Sequence, residues 1–233
     1  MGCWKGSEMH KGVKLNMVKI KFCGIRRAED VEAVNRLKPD FAGFVLAKSK
    51  RQVTLEQASY FKLILDKDIK TVAVLVNMHV EEAASLANSG IIDMLQLHGD
   101  EDAGYIAKLK KLTKAKIIKA IRLQPGEAEQ NAELMAQAGL ADYYLFDTFI
   151  PDTYGGTGKT FSLSLLNGLN IDKPFFLAGG LDSENVSDIV QEVQADAALN
   201  PFFYGIDVSS GIETNGFKDS LKMEKFMNVV RYG

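Results

Sequence analysis

The chain has 233 residues, of which 46% are apolar and 25% charged, so it can bury the core of one large soluble domain. Lysine and arginine number 28 against 30 aspartate and glutamate residues, and a net charge of −2 argues against a nucleic-acid partner. The cysteines Cys3 and Cys23 and the three histidines lack metal-ligand spacing, so we expect no metal site and a reduced, cytoplasmic protein.

Residues 1–16 precede the first apolar run and show no periodic pattern. They lack the continuous apolar stretch of a secretion signal, and no run elsewhere approaches the 18 consecutive apolar residues typical of a membrane span. The sequence therefore predicts a poorly ordered N-terminal extension over 1–16, one catalytic domain over 17–233, and no membrane partner.

Eight short apolar runs alternate with eight segments of helical period along the rest of the chain. The predicted strands are Val18–Cys23, Phe41–Leu46, Thr71–Val76, Asp93–Leu97, Lys116–Ile121, Tyr143–Asp147, Phe175–Ala178 and Gly205–Val208. The predicted helices are Ala28–Leu37, Leu55–Leu65, Val80–Ala87, Asp102–Leu112, Ala128–Ala138, Leu163–Leu166, Glu184–Val193 and Ser220–Val230.

The strand segments are apolar almost throughout, which is typical of parallel strands covered on both faces. Eight strand and helix units in a chain of this length predict the α/β class, as a single-domain (β/α)8 TIM barrel with eight parallel strands. A doubly wound open sheet is the alternative, because the pattern does not show whether the sheet closes.

Polar residues stand where several of these apolar runs stop, and barrel enzymes carry their active sites at that end of the strands. Cys23 ends the first run, Arg51 follows the second, His98 follows the fourth, Asp147 ends the sixth and Asp207 lies in the eighth. We therefore expect these five side chains to surround one site.

Glycine and serine residues follow the seventh and eighth runs, where barrels often bind phosphate through backbone N–H groups. Gly179 and Gly180 would allow close approach of the backbone, and Ser209 and Ser210 would add hydroxyl donors. Tight turns alone are the other explanation for either segment, but the two together favour a phosphate site.

Each candidate side chain has a chemical and a structural interpretation. Asp147, at an apolar strand end, is either a general acid or a capping aspartate, and Cys23 is either a reactive thiolate or a small buried side chain. Arg51 is either a carboxylate clamp or a surface charge, and His98 is either a substrate contact or a structural histidine.

The long connection Thr148–Thr160 is rich in glycine and resembles a P-loop, but Thr153 occupies the place of that motif's first glycine. A mobile lid over the active site accounts better for these glycines, because closure needs flexible positions and excludes water.

Eight short motifs, in this order, make the chain from about Met17 onward resemble the phosphoribosylanthranilate isomerase family. They are Val18–Ile25, Gly43–Val45, Ser49–Arg51, Leu95–Gly99, Leu145–Thr148, Gly155–Phe161, Ala178–Leu181 and Asp207–Gly211. The chain departs from the family pattern at Phe22, where isoleucine is usual, at the variable position of Lys48, and in the additional residues 1–16.

This resemblance implies a (β/α)8 barrel that carries out the Amadori rearrangement of N-(phosphoribosyl)anthranilate in tryptophan biosynthesis. The product is 1-(2-carboxyphenylamino)-1-deoxyribulose phosphate, and neither a metal nor an organic cofactor is needed. A monomer or a homodimer is expected.

By the same resemblance, Asp147 is the general acid that opens the sugar ring, and Cys23 is the general base that takes the proton from the neighbouring sugar carbon. Arg51 binds the anthranilate carboxylate, and Asp207 is a further polar contact with the substrate. The phosphate is held by Gly179, Gly180, Ser209 and Ser210.

Two rival functions remain from the sequence. Indole-glycerol-phosphate synthase, another phosphate-binding barrel enzyme, needs a catalytic lysine, and Lys21 and Lys119 are available without that family's surrounding pattern. A non-catalytic phosphosugar-binding barrel is the second rival, and the presence of both Cys23 and Asp147 argues against it.

Overall fold

A computed structural model of the chain describes residues 18–147 and 163–233. The predicted extension over 1–16 and the predicted lid over 148–160 lie outside these ranges. Eight parallel strands close into a barrel in chain order, and the first strand pairs with the eighth. The predicted barrel is therefore confirmed, and the open-sheet alternative is wrong because Ile20 of the first strand is in register with Ile206 of the last.

The strands of the barrel are β1 Lys19–Cys23, β2 Phe41–Val45, β3 Lys70–Leu75, β4 Met94–Leu97, β5 Lys116–Arg122, β6 Tyr143–Asp147, β7 Phe175–Ala178 and β8 Phe203–Val208. The α-helices of the described residues are α1 Ala28–Leu37, α2 Leu55–Ile64, α3 Val80–Asn88, α4 Ala103–Leu112, α5 Ala128–Ala138, α6 Val186–Ala195 and α7 Ser220–Tyr232. None of these helices is long and apolar enough to cross a membrane.

Most predicted elements are present, with ends that shift by one or two residues. The predicted helix Leu163–Leu166 is a single 3₁₀ turn, and α6 begins at Val186 rather than Glu184. The later start of α6 has a local cause, since the Asp182 carboxylate accepts hydrogen bonds from the amides of Glu184 and Asn185 and holds them in a turn.

A small hairpin that the sequence pattern did not predict follows the barrel, formed by β9 Glu213–Thr214 and β10 Phe217–Lys218. Each of its strands has only two residues, which is too short to show the alternation of apolar and polar residues that marks a strand. The turn between them has positive φ angles at Asn215 (52°) and Gly216 (77°), and an Asn-Gly pair is a strong signal for a tight hairpin. This signal could have identified the hairpin from the sequence.

Two apolar layers hold the barrel together. The larger one lies between the strands and the helices and includes Phe22, which packs edge-on against Phe226 of α7 with a centroid distance of 6.2 Å. Because strand side chains alternate between faces, Phe22 points away from the barrel interior, so this departure from the family pattern does not touch the predicted site.

The smaller layer fills the barrel itself near the amino ends of the strands. Phe41 contacts Phe176 edge-on at 5.6 Å between ring centroids, and Tyr143 lies 5.0 Å from Tyr204. These rings leave the space inside the barrel to polar side chains at the carboxyl ends of the strands.

A buried ion pair supports the loop after β4. Lys119 Nζ lies 2.9 Å from Glu101 Oε2, both side chains are less than 10% exposed, and Glu101 also accepts hydrogen bonds from the amides of Asn77 and Gly99. Removing one partner of such a pair leaves a buried charge without its counter-ion, which costs about 3–5 kcal/mol.

Lys119→Met is therefore expected to lower the free energy of unfolding by about 3 kcal/mol. This is the low end of that range, because two backbone amides still donate hydrogen bonds to the Glu101 carboxylate. Urea unfolding measures this change. Lys116→Met is the control, since Lys116 pairs with Asp142 at the surface and should change the stability by less than about 1 kcal/mol. Equal losses in the two variants would contradict the structural role of the Lys119 pair.

Candidate active site

A cavity of about 520 Å³ opens at the carboxyl ends of the barrel strands. All the site residues predicted from the sequence line it: Cys23, Arg51, His98, Asp147, Gly179, Gly180, Asp207, Ser209 and Ser210. The structure adds Val45, Val74, Gln96 and Arg122, among others, to the lining. The structure therefore brings these strand ends together around one cavity.

Cys23 stands at the end of β1 above a buried lysine. Lys21, two residues earlier, points to the same face of the strand and is completely buried, and its Nζ lies 2.9 Å from Asp207 Oδ2 on β8. Burial raises the pKa of the Cys23 thiol, and the positive charge of Lys21 opposes this rise only in part. The thiol therefore needs nearby positive charge to ionise.

Gly43 on β2 provides the room for this arrangement. A Cβ atom at this position would lie 3.0 Å from Cys23 Sγ and 3.2 Å from Lys21 Nζ, which is closer than side chains normally pack. The absence of a side chain at position 43 thus lets the lysine and the cysteine occupy the same corner of the barrel.

Asp147 lies at the end of β6 and faces His98. His98 Nε2 is 3.6 Å from Asp147 Oδ2, and both side chains are between a fifth and a quarter exposed. His98 Nδ1 contacts Nε2 of the buried Gln96 at 2.9 Å. With the amide in this orientation, Gln96 donates to Nδ1, so the imidazole proton sits on Nε2 and faces the Asp147 carboxyl.

Two buried oxygens in this cavity have no hydrogen-bond partner within the described part of the chain. They are Gln96 Oε1 and Asp207 Oδ1, and both residues line the cavity. Buried polar atoms are normally paired, so unpaired acceptors in a cavity indicate places where a ligand can donate hydrogen bonds.

Arg51 is held by an acidic residue that the sequence analysis did not single out. Its Nε and Nη2 atoms contact the two carboxylate oxygens of Glu213 at 2.7 and 2.8 Å, and Lys218 Nζ lies 2.7 Å from Glu213 Oε1. Burial alone would raise the pKa of Glu213, but the two cations hold it below its ordinary value. The pair with Glu213 uses two of the five N–H groups of the Arg51 guanidinium. The remaining N–H groups can donate hydrogen bonds to an anionic ligand.

Residues near Arg51 fasten the hairpin to the loop after β2. Arg26 donates to the carbonyl oxygens of Lys50 and Gly216 at 2.8 and 2.7 Å, and its guanidinium lies 4.3 Å from the ring centroid of Phe217. The strand end that carries Arg51 and the hairpin that carries Glu213 are thereby tied together.

The loops after β7 and β8 meet at the far side of the cavity. Gly179 and Gly180 adopt positive φ angles of 96° and 64°, a region that favours glycine. A Cβ atom at Gly211 would lie only 1.9 Å from the carbonyl oxygen of Leu181, so these two loops touch through bare backbone. The structure therefore brings the two glycine-rich segments together.

The two serines of this region have different surroundings. The Ser209 hydroxyl donates to the carbonyl oxygen of Cys23 at 3.1 Å, and it also lies 3.3 Å from Lys218 Nζ. Ser210 is exposed and begins the 3₁₀ turn Ser210–Ile212. Ser209 thus links the end of β8 to the end of β1 as well as lining the cavity.

Both lysines considered for the rival synthase activity are engaged in ion pairs. Lys21 is paired with Asp207, and Lys119 is paired with Glu101 and also donates to the carbonyl oxygen of Gly99. Among the described residues, no group of three or more histidine, cysteine, aspartate and glutamate side chains is arranged to hold a metal ion. The chemistry available at this site is that of a thiol, a carboxyl, an imidazole and several fixed cations.

The family model and the sequence relatives that resemble this chain point to the same family. A family profile described as N-(5'phosphoribosyl)anthranilate (PRA) isomerase matches residues 20–229. N-(5'-phosphoribosyl)anthranilate isomerase of Thermoanaerobacter sp. (strain X514) is 46% identical over 216 residues, which cover 92% of this chain and 98% of that protein.

Solved structures agree with this result. A phosphoribosyl anthranilate isomerase in complex with reduced 1-(o-carboxyphenylamino)-1-deoxyribulose 5-phosphate is 28% identical with a TM-score of 0.73, covering 92% of this chain and 98% of that one. Monomers generated from the dimeric isomerase of Thermotoga maritima are 26% identical with a TM-score of 0.70, covering 93% and 100%.

Proposed function

The chain belongs to the N-(5'-phosphoribosyl)anthranilate isomerase family, and on this basis we propose how its cavity carries out the reaction. The protein isomerises N-(5'-phosphoribosyl)anthranilate to 1-(2-carboxyphenylamino)-1-deoxyribulose phosphate, a step of tryptophan biosynthesis.

The observation that carries the proposal is the placement of Cys23 and Asp147 in one cavity, at the ends of the non-adjacent strands β1 and β6. An Amadori rearrangement needs an acid at the ring oxygen of the sugar and a base at the carbon next to the reacting centre. Two groups on different sides of one cavity can serve these two atoms of a single bound substrate.

Asp147 acts first, as the general acid. It gives its proton to the furanose ring oxygen, the bond between that oxygen and the anomeric carbon breaks, and the nitrogen lone pair forms an iminium ion. The imidazole Nε2–H of His98 faces the carboxylate that remains and stabilises its negative charge.

Cys23 acts second, as the general base. Its thiolate takes the proton from the neighbouring sugar carbon, and the electron pair of that C–H bond moves to neutralise the iminium nitrogen, which gives an enolamine. The enolamine then tautomerises to the ketone. No group is added or lost, so the reaction is an isomerisation.

The two anionic ends of the substrate orient it between these groups. Arg51, fixed by Glu213, binds the anthranilate carboxylate through its remaining N–H groups, and the backbone around Gly179, Gly180, Ser209 and Ser210 binds the phosphate. Asp207 Oδ1 contacts the sugar, because it is a buried acceptor without a hydrogen-bond partner among the described residues, and a sugar hydroxyl can donate a hydrogen bond to it.

The direct test follows the fluorescence of freshly generated phosphoribosylanthranilate after addition of the purified protein. We expect rapid loss of fluorescence and a product with the mass of the substrate, whereas spontaneous hydrolysis releases anthranilate. Heat-denatured protein is the control. A folded protein that leaves the substrate to hydrolyse at the uncatalysed rate would contradict the proposed function and revive the non-catalytic binding barrel.

Arg51→Ala is expected to raise KM by about 10- to 100-fold with a smaller change in kcat, because a hydrogen bond between charged groups contributes about 1.5–3 kcal/mol. Steady-state kinetics measure the effect. Lys50→Ala is the matched control, since Lys50 is the neighbouring exposed cation and does not line the cavity. A normal KM in Arg51→Ala would remove this residue from the carboxylate site.

Several further predictions from the sequence belong to the proposal. The protein is expected to be cytoplasmic, to need no cofactor, and to be a monomer or a homodimer. The extension over 1–16 and the lid over 148–160 remain predictions as well. Light scattering of the purified protein decides between the two oligomeric states.

A further inference from the structure

The environment of the Cys23 thiol contains more charge than a buried thiol normally meets. Lys21 reaches it along the same strand, Asp207 faces it from β8, and Arg51 and Lys218 approach from the loop after β2 and from the hairpin. Arg51 and Lys218 share the carboxylate of Glu213, so much of their charge is neutralised nearby.

Lys21 differs from these two cations in burial and in contact. Its side chain is completely buried, its ammonium group donates a hydrogen bond to Asp207, and it shares the space beside Gly43 with Cys23 Sγ. Burial alone would lower the pKa of Lys21, but the charges of Asp207 and Cys23 outweigh burial and raise it, so the ammonium group stays protonated. The field of such a buried cation is little screened by water or salt.

Asp207 holds the same ammonium group from the other side. Its Oδ2 lies 2.9 Å from Lys21 Nζ, and its negative charge disfavours a second negative charge on Cys23. The lysine and the aspartate therefore act on the thiol with opposite signs, from one connected set of buried groups.

We propose that Lys21 is a positioning residue that allows Cys23 to act as a base, because its buried ammonium group lies beside the thiolate on the same face of β1, and that Asp207 limits this effect by binding the same ammonium group. The inference deepens the proposed function, since it rests on Cys23 being the base. Lys21 itself does not exchange a proton with the substrate.

The test measures the ionisation of Cys23 without relying on turnover. The rate of alkylation by iodoacetamide is followed from about pH 6 to about pH 10, in full-length protein in which Cys3 is replaced by serine so that Cys23 alone reacts. The variants are Lys21→Met, Asp207→Asn and Lys21→Arg, and the midpoint of each rate profile is compared with that of the parent.

Lys19→Met is the matched control. Lys19 lies two residues before Lys21 on the same strand and is also paired with an aspartate, Asp40, at 2.8 Å, but its side chain is 41% exposed. The same substitution at this position should leave the alkylation midpoint unchanged.

Lys21→Met is expected to raise the midpoint by at least about one pH unit. At a given pH below the midpoint, alkylation should then be about tenfold slower than in the parent. Asp207→Asn is expected to lower the midpoint, and Lys21→Arg to keep it near that of the parent. In the isomerase assay, Lys21→Met should lower kcat with little change in KM, since the two anionic anchors of the substrate remain.

An unchanged midpoint in Lys21→Met, or shifts of the same sign in Lys21→Met and Asp207→Asn, would overturn the inference. If Lys21→Met does not fold, Asp207→Asn decides, because a midpoint that fails to fall shows that the buried pair of Lys21 and Asp207 does not set the ionisation of the thiol. If the midpoints move as expected but Cys23→Ser retains full turnover, the proposed base is wrong while the electrostatic link between Lys21 and Cys23 stands.

Discussion

Asp147→Asn is expected to lower kcat by about 10³- to 10⁴-fold while the affinity for the product changes little. The amide has nearly the shape of the carboxyl but cannot give a proton to the ring oxygen, and general acid catalysis of this kind contributes about 10²–10⁴ in rate. The phosphate loops and Arg51 are untouched, so binding persists.

The measurement combines single-turnover decay of substrate fluorescence with titration of the product. Asp142→Asn is the control, because it makes the same exchange at the opposite end of β6, away from the cavity. Asp142 immediately precedes this strand and pairs with Lys110 and Lys116. Normal turnover in Asp147→Asn would refute the acid assignment, and a parallel loss of product binding would assign this residue to binding instead.

Cys23→Ser is the second large expected effect, with a loss in kcat comparable to that of Asp147→Asn. Serine keeps the size and polarity of the side chain, but a hydroxyl does not ionise in the accessible pH range and cannot act as a comparable base. Turnover close to that of the parent would exclude Cys23 as the base. Cys3→Ser, outside the predicted domain, is the control and should retain full activity.

The pH profile of Asp147→Asn gives an independent check on Cys23. The parent needs a protonated acid and a deprotonated base, so its kcat/KM should be bell-shaped in pH, whereas the residual kcat/KM of Asp147→Asn depends on the base alone. Burial raises the pKa of the Cys23 thiol, so the residual activity of this variant should increase with pH into the alkaline range. A residual activity that does not change with pH would show that a group other than Cys23 is the base.

The barrel could be predicted from the sequence because its strands are long enough to show their pattern. Runs such as Phe175–Ala178 are apolar throughout, and polar residues such as Asp147 mark where a run stops. Since parallel strands end at one face of a closed barrel, the order of the motifs alone placed the candidate residues around one site.

The supporting residues could not be predicted in the same way. Glu213 lies in a strand of two residues, and its contact with Arg51 joins positions that are 162 residues apart. Lys21 within an apolar run gives no sign of its partner on β8. These two contacts depend on the closure of the barrel, which brings the first and last strands side by side. The contact between Gln96 and His98 is different, because the two residues are two positions apart and strand alternation could have paired them.

The glycine at position 43 constrains how this site can change during evolution. A methyl group there would lie 3.0 Å from Cys23 Sγ, 3.1 Å from Cys23 Cα and 3.2 Å from Lys21 Nζ, so a larger residue requires these neighbours to shift. The effect of a substitution at position 43 should thus depend on the residues at positions 21 and 23. An engineer who wishes to install a different catalytic group in this corner of the barrel has reason to vary the three positions together.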